Sequence, residues 1–331
     1  MKRTIWIFIA VFAVAWAGCR KEKSISDVVS KTLSACRVID EFSDSSFVPR
    51  RVVCIDANQD HFYCTDYSAG YFVLDKDFNL IKRVGIVGQG PADFLGSAHF
   101  YMQNDSLYIW NDGKQAIQLF VNDKHEKQIA MPKGLSFSPN TRFFVENQQI
   151  YHSVRGDTLP VVAFDENSIK KTYLCRFTSQ DDVNFKLHSA RHIIKAKNGF
   201  YVIGSALPIF QKYDFDGKLL ETYNMEKLPE IRQQLQWMKS QEKVPNAHFT
   251  MCQDVFYDEG KLFLLAATNI HQDYWCNTVY VFDVAENIEH IATLKLGSGR
   301  AYGSFCVKSD TLLAHNMMDA SLDVYNIKSS K

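Results

Sequence analysis

The sequence predicts an all-β fold: a six-bladed β-propeller of four-stranded antiparallel blades, with a ring closed by an N-terminal strand and one short helical insertion. From Arg51 onward, short apolar runs alternate with turn residues about every 8–12 residues, which is typical of all-β domains. A unit of such runs recurs at intervals of roughly 43–62 residues, close to the length of a propeller blade. Because one four-stranded sheet cannot bury both of its faces alone, we expect the units to stack around an axis.

The repeat is clearest in the third strand of each unit, where an aromatic residue or a leucine precedes a polar turn. It occurs in Val73-Leu74-Asp75, Leu119-Phe120-Val121-Asn122, Ala163-Phe164-Asp165, Lys212-Tyr213-Asp214, Val281-Phe282-Asp283 and Val324-Tyr325-Asn326. The second strands align through apolar pairs such as Phe62-Tyr63 and Leu107-Tyr108. The six copies of this pattern predict six blades.

The first three units are predicted to contain four strands each. The first contains Arg51–Asp56, Phe62–Thr65, Gly70–Leu74 and Leu80–Val84. The second contains Ala98–Met102, Leu107–Trp110, Ile117–Phe120 and Glu126–Ala130. The third contains Arg142–Glu146, Ile150–His152, Pro160–Phe164 and Lys170–Leu174.

The last three units differ from one another at their ends. The fourth contains His192–Ala196, Gly199–Ile203, Ile209–Tyr213 and Leu219–Tyr223, and the fifth contains Cys252–Tyr257, Lys261–Leu265, Thr278–Phe282 and His290–Leu294. Between them, Leu228 to Lys243 is rich in helix-forming residues and predicts a short inserted helix whose apolar stripe packs on the propeller. The sixth contains only Tyr302–Val307, Thr311–Ala314 and Ser321–Ile327.

An apolar run at the N-terminus has no unit of its own. It extends from Val28 to Phe42 and reads as one strand without a hairpin partner nearby. Because the sixth unit lacks an outer strand, we expect this segment to supply it and close the ring. Residues 28–331 would then form the propeller.

The first residues predict export and lipidation. Lys2 and Arg3 precede an apolar run of about a dozen residues, too short to span a bilayer as a helix. The run ends in Ala17-Gly18-Cys19, which resembles the lipobox of bacterial lipoproteins. The resemblance implies that residues 1–18 are a signal peptide, that Cys19 carries the lipid, and that residues 19–27 form a tether to the cell-envelope membrane, most simply the outer membrane. An ordinary secretory signal is the alternative, and the periplasmic side or the cell surface both remain open.

Composition narrows the function classes. The formal net charge is zero and no basic cluster stands out, so we expect no nucleic-acid partner. Eight cysteines are present, but none are arranged as CxxC, so we expect no zinc site. Apart from Cys19, the cysteines are read as small buried hydrophobes. Pairing of Cys54 with Cys64 in an oxidising compartment is the alternative.

The stretch with the strongest turn signals, three glycines followed by a proline, is Gly85-Ile86-Val87-Gly88-Gln89-Gly90-Pro91-Ala92-Asp93-Phe94, between the first and second units. It lacks the Gly-Lys-Ser/Thr ending of a phosphate-binding loop. It resembles the Gly-x-x-Gly-x-Gly-Pro-Gly-Glu-Phe-like segment of six-bladed β-propeller lipoproteins of Bacteroidetes-type bacteria, whose architecture is similar to that of NHL-repeat and TolB-like propellers. Gly85, Gly88, Gly90, Pro91 and Phe94 match, whereas Ala92 and Asp93 depart from the pattern. The resemblance implies a fold and an envelope location but no reaction.

The candidate binding residues share one topological position. Loops between the second and third strands of a blade lie on the same face of a propeller as the loops between blades. Those loops predict a ligand-binding face that carries Asp66, Trp110, Asp112, Arg155, His271, Trp275, Arg300 and His315. Trp110 and Trp275 would supply apolar platforms, and Arg155 and the carboxylates would orient a polar ligand.

Two functions compete on this face. The first is a non-catalytic binding or scaffold lipoprotein that needs no cofactor or metal and takes a protein, peptide or glycan ligand. The alternative is a metal-dependent lactonase- or lyase-like enzyme with its site at the channel mouth. Its ligands would come from His271, His315, Asp112 and Asp66, whose spacing carries little signal for a metal site.

Overall fold

Six β-sheets form a closed ring in a computed structural model, which describes residues 28–42, 49–68, 70–155, 161–165, 169–173, 188–241, 249–270 and 273–328. Apart from the N-terminal segment, the strand that comes first along the chain in each sheet lies at the inner edge, next to the axis. Each innermost strand contacts the next one, and the last contacts the first. The predicted six-bladed propeller is therefore confirmed.

The first three blades each contain four antiparallel strands. The first consists of β3 (Val52–Ala57), β4 (Phe62–Asp66), β5 (Gly70–Leu74) and β6 (Leu80–Val84). The second consists of β7 (Ser97–Gln103), β8 (Ser106–Asn111), β9 (Ala116–Val121) and β10 (Lys124–Ala130). The third consists of β11 (Phe144–Glu146), β12 (Gln149–Ser153), β13 (Val161–Phe164) and β14 (Ile169–Tyr173).

The remaining blades follow the same plan. The fourth consists of β15 (Arg191–Ala196), β16 (Gly199–Gly204), β17 (Ile209–Tyr213) and β18 (Leu219–Asn224). The fifth consists of β19 (Cys252–Asp258), β20 (Lys261–Ile270), β21 (Asp273–Asp283) and β22 (Glu289–Leu296), and the sixth begins with β23 (Tyr302–Lys308), β24 (Thr311–Asn316) and β25 (Ser321–Asn326). Strands β20 and β21 form a hairpin longer than the sequence predicts.

The N-terminal segment closes the ring, but as two strands rather than one. Strand β2 (Arg37–Ile39) pairs antiparallel with β25 and completes the sixth blade, with Ile39 opposite Leu322. Strand β1 (Val29–Leu33) pairs parallel with β22 and adds a fifth strand to the fifth blade. The prediction of a single strand over residues 28–42 is therefore corrected, because the segment bridges the outer edges of two adjacent blades.

The predicted inserted helix is present as α1 (Pro229–Gln241), between the fourth and fifth blades. Its residues Ile231 and Met238 are buried in the cluster that joins those blades. The Glu230 carboxylate accepts hydrogen bonds from Tyr280 and Lys295, which ties the helix to the fifth blade. The helix therefore packs on the propeller as expected. No helix within the described ranges is both long and apolar enough to cross a membrane.

Cysteines contribute to the core between blades. Cys54 and Cys64 are buried free thiols. They lie on neighbouring strands, but Cys54 packs in the cluster shared with the second blade and Cys64 in the cluster shared with the sixth. Because alternate residues of a strand face opposite sides of the sheet, the two sulfurs point to different blades and the alternative of a disulfide between them is wrong.

Candidate functional site

The centre of the ring is filled by charged and polar side chains. Arg142, two residues before the start of β11, donates from Nε to Oδ1 of Asp254 at 2.7 Å and from Nη2 to Oδ2 at 2.8 Å. Asp254 also accepts hydrogen bonds from the Ser304 hydroxyl at 2.7 Å and from the amides of Val255 and Phe305. We call Arg142, Asp254, Ser304, His99 and His192 the central cluster, since the innermost region of five blades contributes one residue each.

The first blade joins this network through its backbone. Arg142 Nη2 donates to the carbonyl oxygens of Ile55 at 3.1 Å and Phe305 at 3.0 Å. The guanidinium lies 5.5 Å from the centre of the Phe256 ring, at a distance suited to a cation–π contact. Residues from the innermost regions of all six blades thus meet in one buried cluster at the axis, and this cluster closes the channel.

Electrostatics favour the charged state of the pair. Burial raises the pKa of Asp254, but the adjacent Arg142 charge and the hydrogen bonds outweigh burial and hold that pKa far below its usual range. Burial lowers the pKa of Arg142, and Asp254 more than compensates, so the net shift is upward. Both groups therefore remain ionised at neutral pH although both are buried.

His99, His192 and Asp254 place possible ligand atoms within 4.8 Å of one another, which is the geometry of a candidate metal site. Two observations argue against that use. The Nδ1 atom of His192 accepts a hydrogen bond from the Arg142 amide at 3.2 Å, so its Nε2 carries the proton and offers no lone pair. Both carboxylate oxygens of Asp254 are already bonded to Arg142. The central cluster therefore fits a structural plug better than a metal centre.

On one side of this plug, a cavity of about 250 Å³ opens at the face that carries the loops between second and third strands. We call it the loop-face cavity. All six blades contribute to its wall, through residues before or at the start of the innermost strands and through three of the loops. Its polar and basic lining residues are Arg51, His99, Ser138, Asn140, Arg155, Ser205, Thr250, Gln253 and His315.

Several buried nitrogen atoms at this cavity have no hydrogen-bond partner among the residues that the structure describes. They are Nε of Arg155, both ring nitrogens of His315 and Nε2 of His99. An unsatisfied buried polar group costs about 1–3 kcal/mol, so such atoms mark a place where water or a ligand completes the bonding. Burial lowers the pKa of His315 to about 4, with Asp66 and Asp319 opposing the shift. His315 is therefore neutral at pH 7 and presents one donor and one acceptor.

A second cavity of about 400 Å³ lies on the other side of the plug. We call it the opposite cavity. Its wall combines aromatic residues such as Phe100, Phe144 and Phe256 with Asp56 near its rim. Burial raises the pKa of Asp56, and Arg142 opposes the rise. Sequence reasoning missed this cavity because its wall consists of the far ends of innermost strands, which read as ordinary sheet.

The structure brings two of the predicted binding residues together and separates the others. Arg155, after β12, and His315, at the end of β24, both line the loop-face cavity. Arg300 does not line it; its Nη1 donates to Asp323 at 2.6 Å. Trp275 lies half-buried on β21, away from this cavity. The predicted residue His271 lies outside the described residues.

Trp110 corrects the prediction of an apolar platform. Its side chain is 0% exposed and packs between the second and third blades, with ring centres 6.0 Å from Phe137 and 5.1 Å from His152. The Asp112 carboxylate accepts a 3.3 Å hydrogen bond from Trp110 Nε1 and so helps to hold this core residue in place. A residue at the end of a strand can face either the loop surface or the neighbouring blade, and the sequence pattern does not distinguish the two.

Asp66 also has a structural role in this geometry. Its Oδ2 accepts hydrogen bonds from the amides of Arg50 at 2.9 Å and Arg51 at 3.1 Å, and its Oδ1 accepts from Ser68. These bonds hold the start of the first innermost strand against the loop that follows β4. With its oxygens so engaged, Asp66 does not point a free carboxylate into the cavity.

The glycine-rich segment is a tightly closed loop between the first and second blades. Phe94 is buried and stacks on Phe120 with ring centres 5.7 Å apart. Gly85 has a φ of +89°, and a Cβ there would lie 2.4 Å from the Phe94 ring. The Asp93 carboxylate accepts a 2.7 Å hydrogen bond from the Gly90 amide, so the shorter acid at this position closes the loop on itself. The matched glycines and Phe94 are explained by packing.

Comparison with known proteins supports the fold and little else. No protein-family model matches the sequence. No curated protein matches it either. A candidate exported protein from Bacteroides fragilis has a similar structure, with a TM-score of 0.58, 11% identity, and coverage of 90% of this chain and 99% of that one.

Two further structures are similar to a comparable extent. A member of the DUF4221 family from Bacteroides vulgatus gives a TM-score of 0.58 at 9% identity, covering 89% of this chain and 97% of that one. The WD40 repeats of RRP9 give a TM-score of 0.51 at 9% identity, covering 92% and 99%. At such low identity these likenesses show that the chain is a β-propeller with propeller-like structural neighbours in Bacteroides.

Proposed function

We propose that this protein is a non-catalytic binding propeller of the cell envelope, anchored by a lipid on Cys19, and that its ligand occupies the loop-face cavity. One observation carries the proposal. The wall of this cavity holds buried nitrogen atoms of Arg155 and His315 that lack partners among the described residues. A bound polar ligand would satisfy them.

The central cluster supports binding rather than passage through the channel. Because Arg142 and Asp254 close the ring at its middle, the loop-face cavity is a blind recess, and His99 is the member of the central cluster that lines it. A blind recess formed by six blades offers a rigid, preformed site, which reduces the entropic cost of binding. The same rigidity suits a scaffold whose ligand is the end or a side group of a larger molecule.

A metal-dependent enzyme finds less support in the same geometry. Of the nominated ligands, Asp66 and Asp112 direct their carboxylates to backbone amides and to Trp110, and neither lines the cavity. His315 lines the cavity, but among the described residues it belongs to no group of three side chains that could hold a metal ion. A binding protein needs only the donors that are present.

Ligand screening with a variant at Arg155 tests the proposed site. Thermal-shift measurements on the detergent-solubilised full chain would use a panel of short peptides and oligosaccharides. Arg155→Ala should weaken binding of any hit about 10-fold or more, because a hydrogen bond to a charged group is worth about 1.5–3 kcal/mol. Lys76→Ala is the control, since Lys76 lies in an exposed ion pair with Asp60 far from the cavity. Hits that survive Arg155→Ala but are lost in Tyr257→Ala would move the site to the opposite cavity and contradict the proposal.

Mass spectrometry of the membrane fraction tests the anchor. A mature chain that begins at an acylated Cys19 is the expected result. An unmodified Cys19, or a mature chain that begins elsewhere, would contradict the lipoprotein part of the proposal without affecting the binding site.

A further inference from the structure

We propose that the loop-face cavity recognises a carboxylate, with the guanidinium of Arg155 as the charged anchor and the imidazole of His315 as a second donor. This inference rests on the proposed function and names the chemistry of the ligand at that same site. Three observations support it: the charges of the cavity wall, the nitrogen atoms of the two side chains that lack hydrogen-bond partners among the described residues, and the size of the cavity.

The residues that line the cavity are basic or uncharged. Its ionisable members are Arg51, Arg155, His99 and His315, and no Asp or Glu is among the described residues that line it. A cationic ligand would meet the Arg155 charge without a compensating carboxylate. An anion would meet several donors and a favourable charge.

Among the residues that the structure describes, part of the hydrogen-bonding capacity of Arg155 is unused. Its Nη2 donates to the Ser138 hydroxyl at 3.1 Å, and its Nε is buried without a partner among the described residues. Burial lowers the pKa of Arg155, while Asp112 opposes this shift from a distance. A guanidinium presents five N–H donors in a planar fork that matches the two oxygens of a carboxylate. A bound carboxylate would satisfy the fork and add a direct counter-charge to the more distant one of Asp112.

His315 adds a donor without adding a charge. It is 2% exposed, and neither ring nitrogen has a partner within the described part of the chain. Its Nδ1 lies 3.5 Å from the point that a Cβ at Gly303 would occupy, and both residues line the cavity. One neutral donor beside one guanidinium suits a singly charged anion better than a doubly charged phosphate.

The remaining arginine does not change this balance. Arg51 lies at the rim, where its guanidinium is exposed and stacks 4.6 Å from the centre of the Tyr67 ring. Its charge attracts an anion toward the mouth but is largely screened by water. The inner part of the cavity therefore carries a single strong positive charge, that of Arg155.

The size of the recess limits the ligand to a small acid or a chain end. A volume of about 250 Å³ lies below the roughly 300–1,000 Å³ of cavities that hold drug-sized ligands. His99 belongs to both the central cluster and the cavity wall, so the recess ends close to the cluster. A carboxylate could come from a sugar acid or from a peptide C-terminus, and both would enter carboxylate first.

Matched probe pairs separate the carboxylate from the rest of the ligand. Isothermal titration of the full chain would compare D-glucuronate with D-glucose, and an acetylated tripeptide with a free C-terminus with the same peptide as its amide. We expect a carboxylate probe to bind at least 10-fold more tightly than its neutral partner. The pair that shows the larger effect identifies the source. Inorganic phosphate is included and is expected to bind more weakly than the better carboxylate.

Variants test the roles of the two side chains. Arg155→Met keeps the length of the side chain but removes the fork, and should remove the preference for the carboxylate. Arg155→Lys keeps the charge and should retain part of it. His315→Phe should weaken carboxylate binding several-fold. The NMR signal of the His315 imidazole gives a direct readout, because a bound carboxylate should raise the pKa of this side chain above about 4.

The outcomes distinguish this inference from the proposed function. Binding of glucose or of the peptide amide that equals binding of the acid, and that depends on Arg155, would overturn the carboxylate while the binding function stands. Phosphate binding tighter than every carboxylate would also overturn it. If millimolar carboxylates neither bind nor shift the His315 signal, the inference fails, and the peptide and oligosaccharide screen still decides the function independently.

Discussion

Arg142 and Asp254 form a bidentate ion pair at the centre of the ring, with nitrogen–oxygen distances of 2.7 and 2.8 Å. The pair joins the start of β11 in the third blade to β19 in the fifth. Because the blades contact mainly their direct neighbours, this bond is one of the few links across the axis. It fixes the relative positions of two non-adjacent blades.

The first prediction concerns this pair. Asp254→Asn removes the negative charge and leaves Arg142 charged and buried, so the free energy of unfolding should fall by about 3–5 kcal/mol. Urea denaturation followed by fluorescence would measure it. Asp60→Asn is the matched control, because the Lys76–Asp60 pair has a distance of 3.1 Å but is exposed, and its loss should cost about 1 kcal/mol or less. Equal effects of the two changes would contradict the role of the central pair.

The sequence predicts the ring better than it predicts the site. Six blades follow from a repeated pattern, since alternation and turn residues report directly on local pairing. The parallel pairing of β1 with β22 leaves no such trace, because it joins segments far apart in the chain and gives β1 only one buried residue, Leu33. A single predicted strand was therefore resolved into two.

The same limit applies to the side chains near the channel. Topology alone places Arg155 and His315 on one face, and the structure shows that both line one cavity. The predicted topology does not show that the Trp110 side chain points into the core, since the orientation of a side chain at the end of a strand depends on the neighbouring blade. Arg142 precedes a short strand and reads as its first residue, so nothing in the sequence marks it as the partner of Asp254.

The second prediction concerns the glycine-rich loop. Gly85→Ala should destabilise the protein by more than the strain of its positive φ alone, because the new Cβ would clash with the Phe94 ring at 2.4 Å. Gly134→Ala is a matched control, since Gly134 has a similar φ of +81° but no atom within 4 Å of the added Cβ. We expect the two changes to differ by about 1–3 kcal/mol in the free energy of unfolding. Equal losses would show that Phe94 moves aside and that its packing against Gly85 contributes little.

The third prediction concerns the pH dependence of stability. Burial lowers the pKa of His152 to about 3, with Ser153 opposing the shift. The unfolded chain titrates near 6.5, so between about pH 6.5 and pH 3 it binds a proton that the folded protein does not. Stability therefore falls as the pH drops through this range, by up to about 1.4 kcal/mol per pH unit for this residue.

His152→Phe should reduce this slope, because the replacement does not titrate and the ring already stacks on Phe143 with centres 5.2 Å apart. His61→Phe, at a turn after β3, is the control for the replacement of a histidine by phenylalanine. Urea midpoints at several pH values between 7.5 and 4.5 would provide the measurement. A His152→Phe protein with the slope of the parent would show that other groups dominate acid destabilisation.

The fourth prediction concerns ring closure by the N-terminal strand. Ile39 and Val38 are adjacent on β2, but Ile39 is 4% exposed and packs in the cluster between the first, fifth and sixth blades, whereas Val38 is 43% exposed. Ile39→Ala should lower the free energy of unfolding by about 2–5 kcal/mol, since it removes buried methyl groups and leaves a cavity. Val38→Ala should change it by about 0.5 kcal/mol or less.

Two deletions extend this test from the side chain to the strand. Removing residues 20–42 takes away both β1 and β2, so the backbone of β25 loses its outer partner and the blade gains an exposed edge. The melting temperature should fall steeply and the protein should become prone to association. Removing only residues 20–27 spares both strands and should leave the melting temperature close to that of the parent. If the longer deletion also melts like the parent, or if Ile39→Ala behaves like Val38→Ala, the N-terminal strands do not hold the ring closed.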